Sequence, residues 1–377
     1  MVVTLGEVAK RLAADLDKRI DESTLGNPFL SSHNYRTFPL TVDYFTLLKE
    51  SDSDRRIAFV DGGNQPLLEA PNFSVQINRV YFNFFRGRKR VIPLSLPQRI
   101  EFFSLTSADF RGEQIFFDTS MYPLSTEFEE LVPDSKDLSF DSTDRRLMVG
   151  ASRADITRVA TIARRFAEWE LSKHVIVSEM KEGDVLVMDG TLRTAFANES
   201  KYAKAAYSAA KDKGVTYTGF AKASRLFTTT GLSLIGALRK LAEDNRVGPV
   251  WYYHPVAESL SPEHEAAIFI VKLNAQSRRV YRYEIQAAQA KSLDPRAIDE
   301  ILSLLSANAG DLSLPGYPYG LIDADDNARV RYEELETYRV TLLSELSKLG
   351  SSSKFLRHME SIDTHSVMNL LRETSYT

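Results

Sequence analysis

Two short apolar runs, each ending in aspartate and glycine, limit more than any other feature what this chain can fold into. One is Ile57-Ala58-Phe59-Val60, followed by Asp61-Gly62-Gly63; the other is Val185-Leu186-Val187-Met188, followed by Asp189-Gly190. A run of four apolar residues bounded by a turn signal reads as a buried strand. Strand ends in an open α/β sheet line a crevice, so a carboxylate there sits where function gathers. The glycine that follows lets the chain turn sharply and lets a ligand approach the backbone. If the two strands are neighbours, Asp61 and Asp189 face one another. Two carboxylates that close repel, and one of them gains a proton unless a cation lies between them. Hard divalent ions such as Mg²⁺ and Mn²⁺ prefer such oxygen ligands. Asp-Gly is also a common turn former, so the dipeptides alone leave a structural reading open.

The order of the other elements points to one α/β core. Residues 4–21 carry Leu5, Val8, Leu12, Leu16 and Ile20 on one helical face. A short helix is expected near 41–50 and a strand over 56–61. A strand-rich stretch follows, with a hairpin tip or loop at Gly87. Residues 105–150, with Pro123, Pro133 and many Asp and Ser, read as loop-rich. A long helix over about 152–173 has Asp155 in its first turn, where it suits the helix dipole. Then come the second Asp-Gly strand, alternating helices and strands, and a last helix running from "GLIDADDNARV" to about 348. The expected fold class is α/β: a mixed sheet flanked by helices, with helical additions at both ends. The expected division is 1–54 as an N-terminal helical extension, 55–335 as the core and 336–377 as a C-terminal helical extension.

Composition narrows the function classes. With no cysteine in 377 residues, disulfides, thiolate zinc sites and cysteine nucleophiles are excluded, and a reducing cytoplasm is the expected location. The net charge of -4 does not fit a general polyanion binder, so any nucleic-acid contact needs a local basic surface. No apolar run approaches the roughly 20 residues that span a bilayer, so no membrane partner is expected. There is no P-loop, no GxGxxG and no HExxH spacing among the six histidines. His254 and His264 read as structural.

A third acidic ligand is expected from the helix before the second strand. "RRFAEWEL" offers Glu168 and Glu170, which point to different faces. Ala163, Phe166, Ala167 and Trp169 set the apolar face close to Glu168, and a buried glutamate is costly unless paired or bound to metal. Periodicity favours Glu168. A fourth carboxylate can come from Asp323, Asp325 or Asp326. Asp325 shares a helical face with Leu321, Ala324 and Ala328, although acidic residues at a helix start also simply suit the dipole.

Taken in order, "AFVDGG", an R-x-x-A-E helix, "VLVMDGTL", "GFAKAS" and "GYPYGLIDADDNARV" resemble the NurA nucleases over roughly residues 55–335. The resemblance implies a ribonuclease H-like core and divalent-metal-dependent cleavage of DNA, typically with Mn²⁺ (or Mg²⁺), two ions per site. It implies 5′–3′ exonuclease and single-strand endonuclease activity in DNA-end processing and repair. It also implies a homodimer that works with HerA, a hexameric ATPase and DNA translocase. Residue by residue, Asp61, Glu168 and Asp189 match the family's acidic metal ligands. Asp325 falls where many members carry histidine, so it can hold metal but does not inherit a histidine's proton transfer. Lys222 and Tyr319 match recurrent positions; Lys222 could neutralise charge developing on a phosphate. That altered fourth position leaves an alternative, a degenerate DNA-end or translocase adaptor subunit that does not cut. An actin-like ATPase is a weaker alternative, since "DGGNQP" lacks the Ser or Thr that its phosphate loop needs.

"YFNFFRGRKRV" interleaves aromatics with Arg86, Arg88, Lys89 and Arg90. Such a stretch can track a nucleic-acid backbone while its rings stack on bases, or it can be a hairpin with a solvated tip. In the C-terminal tail, Val367, Leu370 and Leu371 form a small apolar face suited to a dimer or docking contact, or to the chain's own core.

Overall fold

The computed structural model describes residues 4–30, 34–50, 53–222, 224–351, 353–355 and 357–359; the Val367, Leu370 and Leu371 face lies outside them. The chain begins with helix α1 (Leu5–Arg19) and strands β1 (Pro28–Phe29), β2 (Tyr35–Thr37) and β3 (Phe45–Leu47). Six strands follow: β4 (Ile57–Ala70), β5 (Phe73–Arg86), β6 (Lys89–Val91), β7 (Arg99–Arg111), β8 (Gln114–Pro123) and β9 (Ser139–Asp141). Next are α2 (Ile156–Ala160), α3 (Ile162–Glu179), β10 (Val185–Asp189), α4 (Glu199–Lys213), β11 (Thr216–Ala221), β12 (Phe227–Thr228) and α5 (Leu234–Asp244). The chain continues through β13 (Trp251–Tyr253), β14 (Ala257–Ser259), β15 (Ala266–Lys272), β16 (Tyr281–Gln286), α6 (Ala287–Ser292), α7 (Pro295–Asn308), α8 (Tyr319–Ala328) and α9 (Tyr332–Lys348). Among the described residues no helix is long and apolar enough to cross a membrane.

The chain forms two compact units, each discontinuous in sequence. The first takes the described residues up to Ser53, then Gly190–Arg193 and Thr218–Pro318. The second takes Asp54–Asp189, Thr194–Tyr217 and the described residues from Tyr319 onward. In the second unit the strand order is β9-β8-β7-β5-β4-β10. Every pairing in it is antiparallel except β4 with β10, which run parallel. The sheet is therefore mixed, and helices cover it. Leu67, Leu68, Ile77 and Val330 form one core cluster, closed by Leu342, Leu343 and Leu346 of α9. In the first unit β14, β15 and β16 form an antiparallel meander, and the end of β11 pairs with β16. Leu234 and Leu238 of α5 pack there against Trp251, Tyr253, Ile268 and Ile270.

His264 is fully enclosed in the first unit. Its Nδ1 lies 2.7 Å from the Tyr35 hydroxyl and its Nε2 lies 3.0 Å from Glu284 Oε2. Burial alone would raise the pKa of Glu284, but Arg282 and His264 hold it down at about 2. This is a buried polar chain stabilised by its own partners.

Several expectations change. The stretch before residue 54 is only partly helical: a single 3₁₀ turn at Val42–Tyr44 leads straight into strand β3, which pairs with β13. Strand β4 does not end at Asp61. It pairs with β5 rung by rung through Gly62↔Val80 and Gly63↔Arg79, and a register irregularity between Pro66 and Leu68 absorbs the proline. The loop-rich reading of 105–150 is wrong up to Pro123, because β7 and β8 form a long hairpin there. The helix over 152–173 is divided into α2 and α3, and Asp155 is a true N-cap that accepts from the Thr157 N–H at 2.9 Å. The last helix is also two, with Arg329, Val330 and Arg331 between α8 and α9.

Candidate active site

The two Asp-Gly strands are partners. β10 lies parallel to β4 with Val185 beside Ile57 and Met188 beside Val60. One residue further, the same register sets Asp189 beside Asp61, and neighbouring strands are only about 4.8 Å apart. Asp61 is 5% exposed, and one of its oxygens accepts from the Gly62 N–H at 2.7 Å. Gly190 has φ +103°, so the glycine after Asp189 does make the sharp turn read from the sequence.

Gly62 and Gly63 serve a different purpose. Neither needs a left-handed backbone; both lie inside β4, where successive side chains point to opposite faces. A Cβ at Gly62 would lie 2.6 Å from Glu168 Oε1. A Cβ at Gly63 would lie 2.4 Å from the Ala328 carbonyl oxygen. So α3 presses on one face of β4 and α8 on the other, each at a point where the strand has no side chain. Alternation puts Asp61 on the α8 face. Its rung partner Tyr81 is on that face too and packs with Ala324 and Ala328.

Glu168 reaches the strand from the α3 face. It is 7% exposed. Burial pushes its pKa up to about 7; Arg164 and Arg165 pull it down, while Asp189 and Glu199 push it further up. The repulsion from Asp189 is the electrostatic mark of two carboxylates sharing one neighbourhood. The Arg164 guanidinium pairs with Glu168 and donates to the Gly62 carbonyl at 3.1 Å. Glu170 instead turns to Lys173 and His174 on its own helix.

The site also contains residues the sequence reading left out. Glu199, fully buried, accepts from Trp169 Nε1 at 3.0 Å, from the Ala195 N–H at 2.6 Å and from Arg165 Nε at 2.5 Å. It thereby ties the start of α4 to α3. Arg164 could have been found from its spacing, since it precedes Glu168 by four residues on one helix. Glu199 left no such signal, because the partners that tie it to α3, Arg165 and Trp169, are about 30 residues away in the chain.

The remaining candidates are placed less tightly. Asp325 is partly exposed on α8, and its carboxylate lies 3.4 Å from Arg329. Asp323 is the acidic residue of α8 that meets the sheet: it accepts from Asn83 Nδ2 at 2.7 Å and pairs with Arg90 at 3.0 Å. Tyr319 opens α8 with its ring edge-on to Phe85, 5.7 Å between centroids. Arg86 and Lys89 pair across a tight hairpin whose turn holds Gly87 at φ +57°. Arg86 lies 3.3 Å from Asp54, and Arg90 also contacts the Tyr81 hydroxyl. Lys222 falls just beyond the end of β11, not on it, and is exposed in the first unit.

Asp61 and Asp189 are oxygen donors of the kind a hard divalent cation takes, while Glu168 stands across β4 from Asp61, on the α3 face. Burial is the main reason the pKa of Glu168 is raised, and a nearby cation would offset the smaller repulsion from Asp189 and Glu199. Yet among the described residues no three or more His, Asp or Glu side chains stand ready to hold a metal ion. Glu168 is turned toward Arg164 instead.

A raised carboxylate pKa has a defined effect on stability. A group held at about 7 in the fold and near 4.5 when unfolded lends stability below 4.5, and that stability is lost as pH rises through 7. Glu168→Gln removes the titration. In urea unfolding with chelator present, the variant should gain on the wild type by on the order of 3 kcal/mol between pH 4.5 and pH 8. An equal difference at both pH values would show that Glu168 does not titrate in this range.

The chain is similar to the crystal structure of the NurA nuclease from Sulfolobus solfataricus at 14% identity and a TM-score of 0.49, covering 92% of this chain and 95% of that one. It is also similar to A. aeolicus Argonaute at 10% identity and a TM-score of 0.29, covering 74% of this chain and 29% of that one. No curated protein matches it. The NurA domain family matches residues 55–330, which bears out the resemblance carried by the ordered motifs, and the chain therefore belongs to the NurA family.

Proposed function

We propose that the protein is a divalent-metal-dependent deoxyribonuclease. The observation behind this reading is the parallel pairing of β4 with β10, whose register continues from Met188 beside Val60 to the two aspartates, with Glu168 close by on the other face of β4 at Gly62. Family membership supports nuclease chemistry. The order β7-β5-β4-β10, with β4 antiparallel to β5 and parallel to β10, supports a ribonuclease H-like core.

Asp61, Glu168 and Asp189 would hold Mn²⁺ or Mg²⁺, with Asp325 as a further oxygen donor. Bound ions of this kind activate water and offset charge on the phosphodiester. Gly62 keeps the strand bare so that the glutamate can approach. Arg164 orients Glu168 and offsets its charge. With manganese and labelled DNA, Asp61→Ala and Asp189→Ala should each reduce cutting to background while the circular dichroism spectrum stays unchanged. Full activity in either variant would sink the mechanism. DNA binding by the wild type without cutting at any metal concentration would favour the adaptor reading, which Arg164's grip on Glu168 keeps open.

The β5–β6 hairpin is the proposed strand-binding element, with Arg86, Arg88, Lys89 and Arg90 along it and Tyr319 packed beside it on Phe85. Arg88→Glu with Lys89→Glu should weaken single-stranded DNA binding about tenfold or more at low salt. It should also flatten the salt dependence by roughly 0.7 per lost phosphate contact. An unchanged slope would place the contact elsewhere.

Partnership with a second copy and with a HerA-type translocase belongs to the same proposal, as do 5′–3′ polarity and a role in end processing. Helix α1 supports a partner: Leu5, Val8, Leu12 and Leu16 are 49–86% exposed along one face, and none of the helix is buried. An apolar stripe of that kind is usually covered. Leu12→Glu with Leu16→Glu should convert a dimer to a monomer in sedimentation velocity. A variant that remains dimeric would remove α1 from the interface.

A further inference from the structure

The first unit carries a second concentration of positive charge, unrelated in sequence to the β5–β6 hairpin. A cavity of about 690 Å³ opens beside the C-terminal end of α5 and the end of β15. Arg239, Arg246, Lys272 and Arg278 line it, against a single carboxylate, Glu243. The local balance is therefore +3, in a chain whose net charge is -4.

Little in the fold neutralises these cations. Glu243 lies 3.7 Å from Arg239 and is itself well exposed, which leaves a weak pair. Lys272 donates to the Pro249 carbonyl at 2.7 Å, a neutral acceptor. Burial lowers its pKa, the charge of Arg239 lowers it further, and Glu243 raises it. Arg246 and Arg278 have no ion pair among the described residues.

The backbone adds an independent observation. Arg246 follows the C-cap of α5 with φ +53°, a position that helices usually give to glycine or asparagine. A long cationic side chain is disfavoured there. The backbone is held by the Arg246 N–H donating to the Glu243 carbonyl and the Val247 N–H to the Ala242 carbonyl. A cation at a helix C-terminus complements the dipole, which accounts for Arg246 alone. It does not account for Arg278 and Lys272, which arrive from β15 and the segment after it.

We infer that this cavity is an anion site that takes phosphate groups, using Arg246 and Arg278 as paired donors with Arg239 and Lys272 behind them. Guanidinium groups recognise phosphate oxygens through parallel hydrogen bonds, and several around one cavity select a multiply charged ligand over chloride. Two sources share this chemistry: a free polyphosphate, and the backbone of a nucleic-acid strand. The second rests on the nuclease reading; the first does not.

Calorimetric titration of the intact protein with sodium tripolyphosphate, and separately with an eight-nucleotide oligothymidine, tests the site. The wild type should bind at least one of them. Arg246→Ala with Arg278→Ala should weaken that binding tenfold or more, while Arg296→Ala, an exposed arginine that does not line the cavity, should leave it unchanged. Binding of tripolyphosphate alone supports a free-anion site; binding of the oligonucleotide that is lost in the double variant supports a strand contact. No binding of either ligand, or equal binding by the wild type and the double variant, overturns the proposal. Manganese-dependent cutting measured on the same variants separates the two readings, since Asp61 and Asp189 are untouched. Loss of the anion site with cutting intact on short substrates leaves the nuclease assignment standing.

Discussion

The arrangement of this site depends on one parallel strand pair. From β9 through to β4 the sheet is antiparallel, and β10 then lies beside β4 in the same direction. Parallel neighbours bring equivalent strand ends together, so two Asp-Gly segments more than a hundred residues apart become adjacent side chains. An antiparallel pairing would have carried Asp189 to the far end of β4. The pair also needs a connection that returns the chain to the same edge, and helices α2 and α3 supply it. The acidic helix and the two acidic strands are thus parts of a single topological requirement.

Glycine turns that topology into close contact. Strand interiors rarely favour glycine, which adds no packing and costs conformational entropy. Here two consecutive glycines serve opposite faces. Gly62 leaves room for the Glu168 carboxylate and Gly63 leaves room for the α8 backbone at Ala328. Gly320 does the same from the helix side, where a Cβ would lie 2.0 Å from Phe59 Cδ2. Helices on both faces therefore approach β4 closely at the level of Asp61. Asn83 reinforces the α8 contact by donating to the Gly320 carbonyl at 2.8 Å.

Much of this was legible in the sequence, and the failures have physical causes. The apolar runs before Asp61 and Asp189 announced buried strands, and the apolar face of "RRFAEWEL" pointed to Glu168 over Glu170, which the structure turns to surface partners. The glycines after Asp61 misled because turn chemistry and close packing use the same residue type, and only the neighbours tell them apart. A register irregularity kept Pro66 inside a strand that local rules would have ended. Tyr81, Asn83 and Glu199 were invisible beforehand, because each acquires its role from a segment far away in the chain. Asp323 shows the same limit. Periodicity gave Asp325 the inward helical face, yet Asn83 and Arg90 engage Asp323 at the margin of that face.

Arg164 carries the remaining tension. A glutamate with little exposure, pressed by Asp189 and Glu199, is not stable as a lone anion, and Arg164 supplies the compensating charge. Buried ion pairs return little net stability, because two desolvation penalties offset the attraction. Their stronger effect is on geometry: the guanidinium spans Glu168 and the Gly62 carbonyl, fixing the carboxylate against the bare strand. A divalent cation that took Glu168 together with Asp61 would meet Arg164 as a competitor, on the α3 face of β4 and across the strand from Asp61. It offers twice the charge, but it must draw Glu168 away from a partner already in place. Glu168 is thus a buried carboxylate whose position is set by Arg164 and by the bare strand at Gly62. Its acidity follows first from burial and then from the opposing charges of Arg164, Arg165, Asp189 and Glu199 around it.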